Sequence, residues 1–128
     1  MIVTFAPKNS SVEHVLYVSF REIRTLFKVT VCDISEVPYT DVIVNLNKCD
    51  IIDADPAAAD FIVFLDTCPD EKLEAKADLL CNEVAKLLIS MGLTANCTVE
   101  VWPRFLPGSW CLIKDRHIVD VVKHSRIK

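Results

Sequence analysis

The sequence predicts an α+β fold in which two βαβ units form a four-stranded sheet with two helices on one face. Three observations lead to this prediction: two apolar runs with strand character, an amphipathic helical pattern after each run, and a further apolar strand after each helix. The chain has 128 residues, the length of one domain. We expect a single domain over 1–128, with an internal pseudo-repeat over 1–56 and 60–113 and a tail over 114–128.

The first unit starts with a β-branched run over residues 2–6, which predicts a buried strand that Pro7 closes. Ser10 and Glu13 have the spacing of a capping box, so a helix is predicted to begin there. Apolar residues at helical spacing continue this helix, at positions 12, 15, 16, 20, 23, 26 and 27. Residues 39–46 then alternate enough to predict the second strand.

The second unit repeats this order. Residues 61–65 predict a strand, and residues 67–71 predict a helix start with Pro69 in the first turn. An apolar stripe predicts the helix itself, and Gly92 supplies a left-handed stop. Residues 97–102 predict the fourth strand.

The sheet of this fold has a second face that the two helices leave uncovered, although its strands are apolar on both sides. Such a surface needs a partner, and the simplest partner is another copy of the chain. The stretch 109–113 is expected to form a hairpin with strand four or to extend to a neighbouring molecule. Residues 118–122 predict one more strand or a short helix.

Composition excludes several classes of function. A formal net charge of −4 argues against nucleic acid as the main partner, and two glycines cannot form either glycine-rich phosphate-binding motif. The six cysteines form no C-x-x-C pair, and no apolar run reaches membrane-spanning length. We therefore expect a cytoplasmic protein without cofactor, metal or membrane partner. Its thiols are expected to be mostly reduced, with disulfides as the less favoured alternative.

Four segments carry a family resemblance: the strand and helix start over 62–72, the helix over 73–92, the Thr-Val-Glu-Val strand over 98–101 and Gly-Ser-Trp over 108–110. Together they resemble the tautomerase superfamily, which includes macrophage migration inhibitory factor and 4-oxalocrotonate tautomerase. The resemblance implies a homotrimer in which three sheets form the inner wall of a barrel. It also implies that the helices lie outside and that short C-terminal strands pair between subunits.

The resemblance also implies a site. Members of the superfamily use an N-terminal proline as the base, arginines to hold the substrate carboxylate, and an aromatic residue as pocket wall. This sequence has Ile2 after the initiator methionine, and Pro7 lies too late in the strand, so the corresponding base is the primary amine of Met1. Arg104 is the nearest cation to a pocket mouth, and Trp110 matches the aromatic position. The alternatives are an exposed surface arginine and a tryptophan that packs at an interface.

The function implied by the resemblance is at most weak keto-enol tautomerisation of small 2-keto acids, with a small carboxylate as substrate. A second hypothesis is a catalytically inactive trimeric binding or assembly protein of the same fold, which the missing proline favours. A third is a ferredoxin-like monomer that binds a partner through its open sheet.

Other reactive side chains favour structural interpretations. Cys68 precedes a predicted helix, where a thiol can become reactive, but no histidine lies nearby in sequence to activate it. A thiol with a structural role is therefore preferred at this position. His14, His117 and His124 lack metal-ligand spacing and are interpreted as surface or helix-face residues.

An acidic loop and a basic tail are two further candidate binding sites. Asp50, Asp53, Asp55 and Asp60 could chelate a hard cation, but the glycine and terminal glutamate of a calcium loop are absent. A solvated loop is the preferred interpretation. The mildly basic tail over 114–128 is interpreted as a solvated end rather than a site for an anionic partner.

Overall fold

In the computed structural model of the chain, four strands form one mixed sheet in the order β2-β1-β3-β4. They are β1 (Ile2–Pro7), β2 (Ile43–Leu46), β3 (Phe61–Thr67) and β4 (Val99–Phe105). Strands β1 and β2 are parallel, as are β3 and β4, whereas β1 and β3 are antiparallel. The structure describes the backbone of residues 1–49, 59–106, 108–114 and 117–124, and the side chains of these ranges up to residue 106.

Helices connect the parallel strands within each unit. The first connection consists of α1 (Ser10–Val18) and α2 (Phe20–Ser35), and the second of α3 (Glu71–Ala75) and α4 (Ala77–Ser90). Two parallel strands run in the same direction, so the chain must return to the starting edge of the sheet between them. A tight turn cannot span that distance, and a helical crossover can. The predicted α+β fold with a four-stranded sheet and helices is therefore confirmed.

The hydrophobic core lies between the helices and one face of the sheet. Strand β1 alternates exposed or half-buried residues with buried ones, as expected for a sheet with one face on the core. Its Phe5 packs edge-on against Phe27 of α2, with ring centroids 5.0 Å apart, and stacks on Phe61 of β3 at 6.2 Å. Leu80, Val84 and Leu88 of α4 are buried in the same core.

The first helix differs from the prediction in its start and its continuity. Asn9 is the N-cap, and its Oδ1 accepts a hydrogen bond from the Val12 amide at 2.9 Å, so Ser10 is already helical. The helix is also interrupted at Ser19, which separates α1 from α2. Val15, predicted to belong to the core stripe, is 56% exposed, whereas Leu16, Ile23 and Phe27 are buried as predicted.

The second helical connection starts later than predicted. Strand β3 continues through Thr67, and Asp70 is the N-cap, accepting from the amides of Lys72 and Leu73. Pro69 therefore precedes the cap instead of occupying the first helical turn. At the other end, Gly92 has a φ of +74°, which confirms the predicted left-handed stop.

The strands differ from the prediction mainly at their ends. Residues Tyr39–Asp41 form a 3-10 turn, so β2 begins only at Ile43, and β4 extends to Phe105 instead of ending at Trp102. The C-terminal segments are strands β5 (Gly108–Lys114) and β6 (His117–His124), which pair with each other as an antiparallel hairpin. This hairpin forms a sheet of its own and does not pair with β4.

Candidate functional site

The sheet face opposite the helices carries a mixed row of apolar and charged side chains. We define this open face by Ile2, Ile43, Phe64, Asp66, Trp102 and Arg104, with Thr4, Asn45, Ile62 and Glu100 between or beside them. Trp102 and Ile43 are each 51% exposed, and Ile2 is 42% exposed. The described part of the chain thus leaves a sheet surface with several large apolar side chains accessible.

The pairing register determines which of these side chains are neighbours. Ile43, Ile2, Asp66 and Arg104 lie in one row across the four strands, since Ile2 pairs with both Ile43 and Asp66, and Asp66 pairs with Arg104. Cross-strand partners have their side chains on the same face and close together. The charged pair therefore lies at the end of the sheet where β1 begins.

Arg104 and Asp66 form a two-pronged ion pair on the open face. The Arg104 Nε donates to Asp66 Oδ1 at 2.5 Å, and its Nη2 donates to Oδ2 at 2.8 Å. The guanidinium also lies over the Phe64 ring, 4.0 Å from the centroid. The hydrogen bond to Asp66 raises the pKa of Arg104 above its ordinary value, so the arginine stays charged and stays paired.

This pairing changes the interpretation of Arg104 as a substrate clamp. A carboxylate substrate is best held by a guanidinium that presents two free donors. Here Asp66 already uses Nε and Nη2, and the pair as a whole is neutral. Arg104 is also neither buried nor fully exposed, with 40% of its side chain accessible. It is best described as one half of an ion pair within the open face.

The terminal amine of Met1 lies at the same end of the sheet. It donates a hydrogen bond to the Asp41 carbonyl at 3.0 Å, while the Met1 carbonyl accepts from the Ile43 amide at 3.0 Å. The Met1 side chain packs against the core. Two strand spacings of roughly 4.8 Å separate Ile2, the residue after Met1, from Arg104 in the sheet, so these two backbones are about 10 Å apart.

The side chain of the third predicted residue, Trp110, lies outside the described residues, so its role as pocket wall stays a prediction. Its backbone belongs to β5, which pairs only with β6 among the described strands. Phe64 and Trp102 are aromatic residues on the same face of the sheet as Arg104. Sequence reasoning missed both, and it also missed Asp66. Their alternation along β3 and β4 assigns them to one face, but no local signal reveals that Asp66 pairs with Arg104.

The other candidate residues have ordinary surroundings. Cys68 is an exposed free thiol in the segment before the Asp70 cap, and Cys32, Cys49, Cys81 and Cys97 are free as well. Burial, with a smaller effect from Asp78, raises the pKa of the Cys81 thiol, which makes it less reactive. His14 is exposed on α1, and the side chains of His117 and His124 lie outside the described residues.

The acidic residues do not meet as a cation site within the described ranges. Asp50, Asp53 and Asp55 lie outside those ranges, and Asp60 forms an ion pair with Lys8 at 3.2 Å. Among the residues whose positions are described, no three His, Cys, Asp or Glu side chains come together as a possible metal site. The basic tail over 114–128 contains β6, and its side chains are outside the described set.

A separate cleft lies on the helix side of the sheet, between α1 and the edge strand β2. Its volume is about 620 Å³, and Tyr17, Phe20, Val44, Leu46 and Lys48 contribute to its lining. The cleft is distant in the sheet from Arg104, because β2 and β4 are the two outer strands. Of the residues singled out from the sequence, Ser10, Glu13 and His14 also line this cleft.

Comparisons with known proteins do not assign this chain to a family. A scan against protein-family models finds no match, and neither does a comparison with curated proteins. None of the described helices combines the length and the apolar character that crossing a bilayer requires. The fold and the open face described above are therefore the basis for a functional proposal.

Proposed function

We propose that this chain is a catalytically inactive assembly protein whose copies associate through the open face of the sheet. The observation that carries the proposal is the exposure of Trp102, Ile43 and Ile2 around an ion pair that is already neutral. Large accessible apolar patches on soluble proteins mark interaction surfaces. A second copy is a suitable partner because most oligomers of soluble proteins are closed, symmetric assemblies of identical chains.

Burial of the exposed apolar side chains would contribute favourably to association. Trp102 is 51% exposed, so its complete burial would remove about 100 Å² from water, which corresponds to about 2.5 kcal/mol per copy. The two isoleucines add to this value. Association also requires the charged pair to lose water, and the mutual hydrogen bonds of Arg104 and Asp66 reduce that penalty.

The C-terminal hairpin supports the same proposal. An isolated two-stranded hairpin is marginally stable in water. Because β5 and β6 pair with no third strand among the described residues, they would gain stability by packing on a partner molecule. We further propose three copies per assembly, on the basis of the resemblance to the tautomerase superfamily, and a cytoplasmic location in which the free thiols stay reduced.

The test is the mass of the protein in solution, measured by light scattering over a range of concentrations. We expect the wild type to have three times the mass of the 14.4 kDa chain. Trp102→Lys should shift the midpoint of dissociation at least tenfold towards higher concentration, because an interface cannot bury an unpaired ammonium cheaply. Leu79→Lys is the matched control, since Leu79 is 49% exposed but lies on α4. A wild type that stays monomeric would contradict the proposal.

A second candidate is weak tautomerisation at the Met1 amine. It is favoured by one observation, the location of the amine and of Arg104 at the same end of the sheet. In this mechanism the amine would transfer a proton between carbon and oxygen of a small 2-keto acid, and Arg104 would hold the carboxylate. The bonds to Asp41 and Asp66 weigh against it, because both groups already have partners.

A ketonisation assay on phenylpyruvate distinguishes the two candidates. Intact mass first establishes whether Met1 is retained, and the assay is then repeated on protein with an acetylated terminal amine. Activity that disappears on acetylation would support the tautomerase, and activity that survives it would exclude the amine as the base. An assembled protein with no activity above background would support the inactive assembly.

A further inference from the structure

On the side away from β1, strand β2 pairs with no other strand that the structure describes. The amides of Ile43 and Asn47 donate to the Met1 and Phe5 carbonyls of β1, at 3.0 and 2.9 Å. In a parallel pair, alternate residues direct both backbone groups towards the partner strand. The N–H and C=O groups of Val44 and Leu46 therefore point away from β1, where no described strand pairs with them.

The composition of β2 leaves this edge open to pairing. Proteins protect exposed edges with charged side chains, prolines or bulges. The other outer strand, β4, has such protection in Glu100, Pro103 and Arg104. Strand β2 reads Ile-Val-Asn-Leu and contains none of these devices. Of the two outer strands of the sheet, β2 is thus the receptive one.

Helix α1 turns this edge into a cleft. The cleft of about 620 Å³ has an apolar floor formed by Val44, Leu46 and Phe20, with Tyr17 as its wall. The Tyr17 side chain is 71% exposed although it borders an apolar surface. A segment that lies along β2 would cover both the floor and the Tyr17 ring, so side-chain contacts and backbone hydrogen bonds would form together.

One cation in the lining of the cleft, Lys48, favours an acidic residue in this segment. Lys48 and His14 line the cleft together with one carboxylate, Glu13. Lys48 lies two residues after Leu46, the last residue of β2, and is therefore near the carboxyl end of the strand. An acidic side chain near that end would find a cation there, and a basic one would be repelled.

We propose that the cleft between α1 and β2 binds an extended peptide of about four or five residues, which adds to β2 as a fifth strand. The peptide directs apolar side chains onto Val44 and Leu46 and an acidic side chain towards Lys48. A small molecule is a poorer match, because backbone groups without a partner among the described strands recur at every second residue along the edge. This binding site is independent of the assembly through the open face.

The probe is a fluorescent, capped hexapeptide that alternates valine with threonine and carries glutamate near one end. We expect saturable binding by anisotropy, with slower hydrogen exchange at the Val44 and Leu46 amides in the complex. The same peptide with N-methyl groups at alternate residues should not bind, since it cannot form the strand hydrogen bonds. Lys48→Glu should weaken binding about tenfold. Lys72→Glu, the same charge change on exposed α3, should not weaken it.

Several outcomes would overturn the proposal. Equal binding of the N-methylated peptide would mean that the cleft holds apolar groups without strand addition. Equal weakening by Lys72→Glu would mean that only net charge matters. Binding that is seen with the Trp102→Lys variant but not with the wild type would assign the β2 edge to another copy of the chain. Absence of binding to both proteins would also reject the peptide site.

Discussion

Asp60 shows how one side chain joins distant parts of the chain. Its Oδ2 accepts from the Thr98 amide at 2.7 Å, and its Oδ1 pairs with the Lys8 ammonium at 3.2 Å. Its backbone amide also donates to the Thr98 carbonyl at 2.7 Å. These contacts connect the end of β1 with the segments that start β3 and β4. Chiefly the Thr98 hydrogen bond, and then Lys8, lowers the pKa of Asp60 below 3.8.

This arrangement predicts a pH-dependent contribution of Asp60 to stability. A carboxyl whose pKa is lowered by folding stabilises the folded state above its unfolded value of 3.8 and loses this effect as the pH falls through the folded value. Asp60→Asn should therefore lower the free energy of unfolding at pH 7. The difference from wild type should shrink steadily below pH 3.8.

Urea denaturation at several pH values measures this difference, with Asp33→Asn as the control for an exposed carboxylate on α2. Loss of stability in Asp60→Asn that is the same at pH 7 and pH 2.5 would contradict the role assigned to the carboxylate charge.

At the scale of elements, the start of the first helix shows that a capping motif in the sequence need not be the cap that forms in the structure. Ser10 and Glu13 have capping-box spacing, but the hydrogen bond to the helix is made by Asn9, one residue earlier. Asparagine and serine are both good caps, so local preference does not decide between them. The end of β1 at Pro7 leaves two residues before the helix, and Asn9 is the one with extended backbone.

Substitution of the two residues should therefore have unequal effects. Asn9→Ala should lower the free energy of unfolding by about 1 kcal/mol, because the Val12 amide loses its acceptor. Ser10→Ala should change it by less than about 0.5 kcal/mol, as is usual for exposed positions without a specific contact. Thermal and urea denaturation of both variants provide the measurement. A larger loss in Ser10→Ala would instead support the cap predicted from the sequence.

The end of α2 stores backbone strain that a substitution can relieve. Glu36 is the C-cap residue and has a φ of 62°, in the left-handed region. A residue with a Cβ atom pays roughly 1–2 kcal/mol in this conformation, whereas glycine does not. Glycine in turn gains unfolded-state entropy of roughly 0.5–1 kcal/mol. We expect Glu36→Gly to stabilise the protein by about 0.5–1 kcal/mol.

The control for this prediction lies in the middle of the same helix. Arg24→Gly should destabilise by about 1 kcal/mol, since its position in α2 has ordinary helical geometry and glycine is a poor helix former. Opposite signs for the two glycine substitutions in urea denaturation would confirm that the backbone conformation, and not glycine as such, determines the effect. Equal signs would contradict it.

At the scale of the whole molecule, the open face links stability to concentration. If copies associate through Trp102, the assembled state is favoured by mass action, and the midpoint of thermal unfolding rises with protein concentration. We expect a rise of several degrees over a hundredfold concentration range for the wild type and for Leu79→Lys. Trp102→Lys should show little dependence. A midpoint that is independent of concentration in all three proteins would contradict an assembly that forms on folding.

Much of the architecture is predictable from local patterns. The two strand-helix-strand units, the buried positions Phe5, Phe27 and Leu80, and the stop at Gly92 follow from periodicity and from the conformational preference of glycine. Element boundaries are less predictable. The break at Ser19 and the late start of β2 depend on how the helices and strands fit against one another.

The candidate site is predictable only in part, because its partners are distant in sequence. Met1 and Arg104 can be selected from the sequence, and they do lie at one end of the sheet. That Asp66 occupies the donors of Arg104 depends on the register between β3 and β4, which sets residues 38 positions apart side by side. Trp102, on the outer strand β4 of the open face, becomes a functional candidate only when that face is known to be exposed.

The difference between what is predictable from the sequence and what is not has a simple physical reason. Alternation in strands, helical spacing and the left-handed turn at Gly92 are properties of neighbouring residues and of their backbone angles, so the chain specifies them locally. The pairing of Asp66 with Arg104, of Asp60 with Thr98 and Lys8, and of β5 with β6 depends on strand register and sheet order. Those are properties of the complete packed core, in which a shift of one residue would exchange the buried and exposed faces of a strand.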